Sequence, residues 1–299
     1  MRDWGTSRQR FWRIAAAVVL VAIVGAVVRN QVRVYRNRQA RAAAAVQQQR
    51  APFEMPLRQT LFEMLQPVAV TNCDLERFGE AHDGGYLMCA NLLRGVRSAY
   101  SYGIAGYDKW GCDISTALKI PVHQYDCFDT TRPACPGGTA LFHPECVGDA
   151  AKTEQGHVFD TLTNHVAGNG DTSKQIVLKI DVEGAEWNTL LSAPDEMLEH
   201  IDQMAVEFHW LQDGSTGWLH DEKYLSVVKR LKEFFEIAHV HFNNASCIGG
   251  LEPFPTWAYE LLLVSKRLAV VDRSRSVVGL HPLDAPNNPT FPDCQPNTN

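Results

Sequence analysis

QIVLKIDVEGAEW, residues Gln175–Trp187, is the stretch that decides the fold. Its apolar and β-branched residues predict a short buried strand over 176–180, and Gly184 then allows a turn into a helix. Asp181 and Glu183 therefore follow the carboxyl end of a strand. Ligands bind just outside these ends in an open α/β sheet, so the acid pair is a candidate site. The alternative is that the two acids cap the following helix.

The residues before this stretch predict the nucleotide-binding half of a doubly wound sheet. SAYSYGIAG, residues 98–106, alternates as a strand and ends in Gly103 and Gly106, where the backbone can approach a ligand closely. The next predicted strand ends in Asp126, about 20 residues after the glycine turn. Such folds place an acid there to bind ribose hydroxyls. Asp129 is the alternative for that contact, and Asp126 could instead be a surface turn residue.

A second polar pair ends the strand that is predicted over 201–210. Glu207 and His209 are two residues apart, so a strand places them on the same side. Beside Asp181 and Glu183, this pair favours either acid/base chemistry or metal binding. A salt-bridged pair within the core is the alternative, and we assign no metal from the sequence.

The whole pattern predicts an α/β fold with a doubly wound, mostly parallel seven-stranded sheet and a C-terminal antiparallel hairpin. Asp83-Gly84-Gly85 predicts a turn within a further hairpin over 78–90. The other predicted strands are 121–127, 140–143, 236–242 and 258–265, and the predicted helices are 57–65, 114–118, 157–167, 185–191 and 221–235.

The N-terminal residues are organised separately. Residues 1–13 are basic, residues 14–28 are uninterrupted apolar residues, and residues 29–52 form a stem rich in Arg, Gln and Ala. A helix of the apolar segment spans about 22 Å, and flanking aromatic and arginine side chains help it to match a roughly 30 Å hydrocarbon core. We expect a transmembrane signal anchor, with a cleaved signal peptide as the alternative. A domain over 53–267 follows, and we expect the Pro- and Asn-rich tail 268–299 to be largely disordered.

Charge is distributed unevenly along the chain. Residues 1–50 contain ten Arg and one acid, and removing these from the 28 basic and 34 acidic residues leaves 18 and 33 in residues 51–299, a net charge of −15. An acidic domain repels phosphate backbones, which argues against a nucleic-acid partner. We expect a small molecule or a glycan as the substrate.

Eight cysteines and no CxxC pair argue against a zinc ribbon. The even number favours disulfides and an oxidising compartment, although the sequence does not reveal the pairing. Asn244-Ala245-Ser246 also matches the N-glycosylation sequon. Together with the anchor, these features predict a domain on the luminal side of the ER or Golgi membrane.

Several segments together resemble the FkbM-type S-adenosylmethionine-dependent methyltransferases and their eukaryotic methyltransferase-like relatives. The resemblance covers roughly residues 55–266, and LKIDVEGAE is its most specific element. The segments are YSYGIAG at 100–106, YDCFD at 125–129, LKIDVEGAEW at 178–187, VEFHW at 206–210, YELLLVSK at 259–266 and the Asp-Gly-Gly-Tyr motif at Asp83–Tyr86.

The resemblance implies a class I, Rossmann-like methyltransferase that uses S-adenosyl-L-methionine. Gly103 and Gly106 would lie under its methionine part, Asp126 would bind its ribose, and Asp181 would lie beside the transferred methyl. An acid that relatives often carry soon after the glycine turn is missing, and Asp108 or Asp113 could replace it. The residues that we expect at the cofactor are Asp83, Gly85, Tyr102, Gly103, Ile104, Gly106, Asp126, Cys127, Phe128, Asp149 and Asp181.

An acceptor hydroxyl needs a base, and Asp181, Glu183 and His209 are the candidates. His209 ranks first because the pKa of histidine is nearest to neutral pH. No Asn/Asp-Pro-Pro-aromatic motif occurs, so O-methylation is favoured over amino-group methylation. The alternatives are a membrane-anchored glycosyltransferase with Asp181 and Glu183 as metal-binding acids, or a non-catalytic module that keeps the fold.

Overall fold

The computed structural model describes residues 57–173, 175–209, 221–247, 252–277 and 279–294. The predicted basic segment, anchor and stem therefore lie outside the described residues. Among the described residues, no helix is both long enough and apolar enough to cross a membrane.

Strands and helices are numbered in chain order within these ranges. The strands are β1 (Ala69–Val70), β2 (Leu75–Gly79), β3 (Gly85–Cys89), β4 (Ser98–Tyr102), β5 (Pro121–Tyr125), β6 (Thr139–His143), β7 (Cys146–Gly148), β8 (Lys152–Glu154), β9 (His157–Thr161), β10 (Ile176–Ile180), β11 (Ile201–His209), β12 (Phe235–Phe242), β13 (Ala258–Ser265) and β14 (Val271–Asp272). The helices are α1 (57–64), α2 (Lys109–Leu118), α3 (Leu162–Gly168), α4 (Glu186–Ser192), α5 (Asp195–Glu199) and α6 (Asp221–Phe234).

The central sheet has seven strands in the order β12-β13-β11-β10-β4-β5-β6. Strands β6, β5, β4, β10 and β11 pair in parallel, and β13 pairs antiparallel with both β11 and β12. This arrangement confirms the predicted α/β fold with a mostly parallel seven-stranded sheet and a C-terminal antiparallel hairpin. The carboxyl ends of β4, β5 and β10 meet at one edge of the sheet, which positions the candidate site.

Alternation along β10 separates two core layers. Ile176, Leu178 and Ile180 pack into the larger layer with helices α1, α3, α4, α5 and α6, whereas Val177 packs into a layer with α2 and the β2–β3 hairpin. Both faces of the sheet are thus covered, as a parallel sheet requires. The side chain of Gln203 fixes the hairpin, since its amide exchanges two 2.9 Å hydrogen bonds with the backbone of Cys89.

One predicted helix is partly wrong. Residues 157–167 begin as strand β9, which pairs with β7 and β8 in a small sheet, and only then continue as helix α3. The hydroxyl of Thr161 accepts a hydrogen bond from the backbone N–H of Asn164 and so marks the helix start. The apolar residues of 157–161 fit a strand as well as a helix, and only the neighbouring strands decide between the two.

All eight cysteines form disulfides, which confirms that the cysteines are paired. The bonded cysteines are between 16 and 47 residues apart in the sequence. The four pairs are Cys73–Cys89, Cys112–Cys135, Cys127–Cys146 and Cys247–Cys294.

The tail was expected to be disordered, and this is wrong for its described residues. Strand β14 pairs with β1, and Cys294 is bonded to Cys247. The amide of Asn244 donates to the carbonyl oxygens of Asn288, Phe291 and Pro292. Composition suggested disorder, but a disulfide and a buried amide fasten the segment to the domain.

The same contacts change the interpretation of the sequon. The side chain of Asn244 is 3% exposed and its amide nitrogen is fully engaged with the tail. In the folded protein this asparagine is therefore not a surface acceptor for a glycan, and the sequon does not support the luminal placement.

Candidate active site

A cleft of about 530 Å³ lies outside the carboxyl ends of β4, β5 and β10. Five of the predicted cofactor residues and the predicted catalytic residue Glu183 line it, together with residues that were not predicted. The lining residues are Asp83, Gly103, Ala105, Tyr125, Asp126, Phe128, Asp129, Cys146, Val147, Phe159, Asp181, Val182, Glu183 and Ala185.

The floor of the cleft requires glycine at position 103. Gly103 has φ +73°, and a Cβ atom built there would lie 1.6 Å from the carbonyl oxygen of Asp181. The ends of β4 and β10 approach each other too closely for any side chain. Gly106 also has positive φ, and a Cβ atom there would lie 2.8 Å from Oδ2 of Asp129. Positive φ and close contacts therefore explain why both positions of the predicted turn are glycine.

Asp126 braces the glycine turn. Its Oδ2 accepts hydrogen bonds from the backbone N–H groups of Ile104 and Ala105, and its Oδ1 accepts from those of Phe128 and Asp129. A carboxylate has about four acceptor positions. The backbone therefore uses the hydrogen-bonding capacity of Asp126, and Asp129 is the carboxylate beside it that is more accessible to a ligand.

An aromatic wall closes one side of the cleft. The side chain of Phe128 is 73% exposed at its rim. Its ring centroid lies 4.4 Å from that of His157 and 6.5 Å from that of Phe159. An exposed ring held against two others offers a flat surface on which a planar ligand can stack.

Asp181 lies where the cleft meets a buried polar group, which consists of the side chains of Tyr86, Glu207, Asn243 and Glu260. The Tyr86 hydroxyl lies 3.1 Å from Oδ2 of Asp181 and 3.3 Å from Oε2 of Glu207, so it donates its single hydrogen to one of them. Nζ of Lys179 lies 3.3 Å from the same Asp181 oxygen. The amide of Asn243 donates to Oε1 of Glu207 at 2.8 Å. Burial, followed by the charges of Asp181 and Glu260, raises the pKa of Glu207 well above its usual range.

His209 is surrounded by carboxylates. Its Nε2 lies 3.6 Å from Glu207, 3.8 Å from Glu183 and 3.9 Å from Asp181, and its Nδ1 lies 3.5 Å from Glu186. Burial opposes the charged form, but the nearby Glu186 carboxylate and the surrounding negative charges outweigh it and raise the pKa of His209 to about 9. An imidazolium at neutral pH cannot accept a proton, which argues against the predicted base role of His209.

The acids after β10 do not cap helix α4. Ala185 occupies the N-cap position, and no side chain bonds the first turn from there. Glu183 has φ +53° and an exposed carboxylate, whereas the fully buried Glu186 accepts hydrogen bonds from the backbone of Gly184 and His209. The helix-cap alternative is therefore wrong for Asp181 and Glu183, and Glu186 has a structural role.

Several predicted cofactor residues do not line the cleft. Tyr102 is buried in the core and its hydroxyl contacts His165, and Cys127 is held in a disulfide. Gly85 has a packing role in the hairpin, because a Cβ atom there would lie 1.9 Å from the carbonyl oxygen of Glu80. Ile104 is buried and Asp149 is exposed beyond β7.

The two candidates for the missing acid are used elsewhere. Asp108 accepts hydrogen bonds from the backbone of Gly111 and the amide of Gln124. Asp113 accepts from the backbone of Gly79 and pairs with Lys109. Neither residue lines the cleft.

Sequence reasoning missed Tyr86, Asn243 and Glu260 as members of the polar group. Tyr86 belongs to the Asp-Gly-Gly-Tyr motif, so a signal for it existed. Glu260 lies opposite Glu207 in the β11–β13 register, and Asn243 directly follows β12. Nothing in their local sequence predicts that these two residues reach the same place.

The charge on His209 makes a testable contribution to stability. Because the folded-state pKa is raised from 6.5 to about 9, protonation stabilises the fold fully below pH 6.5, and this contribution is lost as the pH rises through 9. We expect the unfolding free energies of wild type and His209→Gln to differ most at pH 6 and to converge above pH 9. Urea titrations in EDTA at several pH values measure this difference, and a difference independent of pH would contradict the assignment.

Comparisons with known proteins add little to this geometry. No protein-family model matches the chain, and no curated protein matches it. A solved structure, the fibrillarin pre-rRNA processing protein of Methanococcus jannaschii, is similar with a TM-score of 0.30 and 10% identity, over 66% of this chain and 84% of that one. Such a likeness carries no argument about function. The order of the seven strands and the cleft at the carboxyl ends of β4, β5 and β10 define an α/β fold with its candidate site at one edge of the sheet.

Proposed function

We propose that this protein is an S-adenosylmethionine-dependent methyltransferase that O-methylates a hydroxyl of a glycan or small molecule. The observation that carries the proposal is the cleft itself. It combines a glycine floor, an aromatic wall and a carboxylate, Asp181, that connects it to a buried group of acids. The motif resemblance to FkbM-type methyltransferases supports the same activity.

The residues of the cleft fit the cofactor. The backbone of Gly103, which lines the cleft without a side chain, would lie beside its methionine part. Asp129 would accept hydrogen bonds from the ribose hydroxyls, with Asp126 holding the turn in place. Phe128 would stack on the adenine. When bound, the cofactor supplies an electrophilic methyl group on a sulfonium.

The chain's own residues would then orient the acceptor. Asp181 would orient the acceptor and hold its hydroxyl oxygen in line with the methyl group. The exposed carboxylate of Glu183 would take the proton of the acceptor hydroxyl. Positioning and exclusion of water are the main demands of methyl transfer, and the cleft offers Asp83 of the hairpin turn and the aromatic wall to position the two substrates.

Cofactor binding to the purified full-length protein tests the proposal. We expect calorimetry to detect binding of S-adenosylmethionine, and a labelled-methyl screen of fractionated extracts to detect transfer to a glycan or small molecule. Binding of a UDP-sugar with manganese but not of S-adenosylmethionine would refute the proposal in favour of a glycosyltransferase. Binding without transfer to any fraction would favour a non-catalytic module.

Phe128 provides a more specific prediction. Loss of its stacking surface in Phe128→Ala should weaken the affinity for S-adenosylmethionine roughly fivefold to tenfold, because aromatic stacking contributes about 1 kcal/mol or more. Phe291→Ala is the matched control, since Phe291 is similarly exposed but does not line the cleft. Equal dissociation constants for wild type and Phe128→Ala in calorimetry would exclude the adenine contact.

A further inference from the structure

Three side chains meet with the geometry of a cation site at the inner end of the cleft. Asp181, Glu207 and His209 each offer one ligand atom, and these atoms all lie within 4.8 Å of one another. Glu207 and His209 come from alternate positions of β11, and Asp181 follows the neighbouring strand β10. The set combines one imidazole nitrogen with two carboxylates, which is a donor set that divalent transition metals accept.

The imidazole of His209 is the observation that points to a cation. The side chain is more than nine-tenths buried, and its Nε2 faces into the group of carboxylates. The distances from Nε2 to Glu207 and Asp181, 3.6 Å and 3.9 Å, are longer than hydrogen bonds. Nδ1 also makes no hydrogen bond of normal length. An ion bound at about 2.0–2.2 Å fits among these atoms once the three side chains move slightly closer together.

The surrounding residues support the ligands from behind. The Glu186 carboxylate lies on the Nδ1 side of His209, where metal-binding histidines usually have a carboxylate partner. Tyr86 and Lys179 lie against Oδ2 of Asp181, and Oδ1 is the oxygen that faces His209. Asn243 holds Glu207. Asp181 also lines the cleft, so one side of the site opens toward an incoming substrate.

We propose that Asp181, Glu207 and His209 bind a divalent transition-metal ion, such as Mn²⁺, that contacts the acceptor hydroxyl. This inference rests on the proposed methyl transfer and deepens it. The ion would polarise the hydroxyl as a Lewis acid. The O–H bond breaks and its proton passes to Glu183. The oxygen forms a bond to the methyl carbon as the carbon–sulfur bond breaks, and S-adenosylhomocysteine is released.

Two other arrangements make different predictions. In the first, His209 carries a proton that neutralises the surrounding acids, and no metal binds. In the second, the ion binds among Asp83, Glu207 and Glu260, which form another group of three possible ligands. Glu207 belongs to both groups, so its substitution cannot distinguish them. Substitutions of His209 and Asp83 can, because each of these residues belongs to one group only.

Mn²⁺ binding to the full-length protein, measured by electron paramagnetic resonance and calorimetry, tests the site without any turnover. We expect one Mn²⁺ per chain, and at least roughly 100-fold weaker binding in both His209→Gln and Asp181→Asn, since even supporting residues cost 10–100-fold. Glu183→Gln and Asp83→Asn should bind Mn²⁺ as wild type does. Asp181 is partly exposed, so its variant tests the site even if His209→Gln does not fold.

The outcomes separate this inference from the proposed function. No Mn²⁺ binding, or binding that is lost in Asp83→Asn and kept in His209→Gln, would overturn the metal site. Binding of S-adenosylmethionine in EDTA is measured in parallel and depends on the other end of the cleft. If the cofactor binds and Mn²⁺ does not, the inference fails while the proposed methyltransferase function stands.

Discussion

Replacing Asp181 by Asn should lower the rate of methyl transfer by about 100-fold to 10,000-fold while the protein stays folded. The acid would orient the acceptor beside the methyl group, and misplacing a reacting group by about 1 Å can cost roughly 100-fold or more. Asn keeps the shape of the side chain and can still accept the hydrogen bond from Tyr86. Initial rates with a labelled methyl donor, together with circular dichroism, measure both effects.

The control for Asp181→Asn is Asp149→Asn, an exposed carboxylate beyond β7 that does not line the cleft. We expect Asp149→Asn to retain the wild-type rate and the wild-type affinity for S-adenosylmethionine. Full activity of Asp181→Asn would show that the acid is not part of the reaction. Loss of the fold in that variant would mean that the buried polar group is mainly structural.

Substituting Gly103 by Ala should destabilise the protein by about 3 kcal/mol or more and abolish cofactor binding. The added Cβ atom would lie 1.6 Å from a backbone oxygen of the neighbouring strand, so the ends of β4 and β10 must separate. The positive φ adds about 1 kcal/mol of strain. Urea unfolding and calorimetry with S-adenosylmethionine measure the two losses.

Gly184→Ala is the matched control because Gly184 also has positive φ and lies in the same region, yet a Cβ atom there meets nothing within 4 Å. We expect it to lose only about 1 kcal/mol, the cost of backbone strain alone. Equal stabilities of the two variants would show that the close approach of the strands is not what requires glycine at position 103.

Local pattern predicted most of the secondary structure. Strands β10 and β13 begin and end at the predicted residues, because short apolar runs bounded by turn residues define buried strands. The glycine turn after β4 was also predicted from local sequence, because a backbone with positive φ favours glycine whatever surrounds it. The structure of segment 157–167 was only partly predicted, because its apolar residues suit a strand as well as a helix. Pairing with β7 and β8 decides for a strand over 157–161.

The sequence by itself therefore determined the fold class, the glycine turn and the candidate acids, all of which depend on residues close together in the chain. Only the tertiary structure decided the disulfide pairs, the packing of the tail and the roles of Asp126 and His209. Parallel pairing of Ile180 with Val206 places the next residues, Asp181 and Glu207, side by side. Electrostatic interactions depend on distance in space, so three carboxylates from two segments raise the pKa of one histidine, which sequence spacing alone could not show.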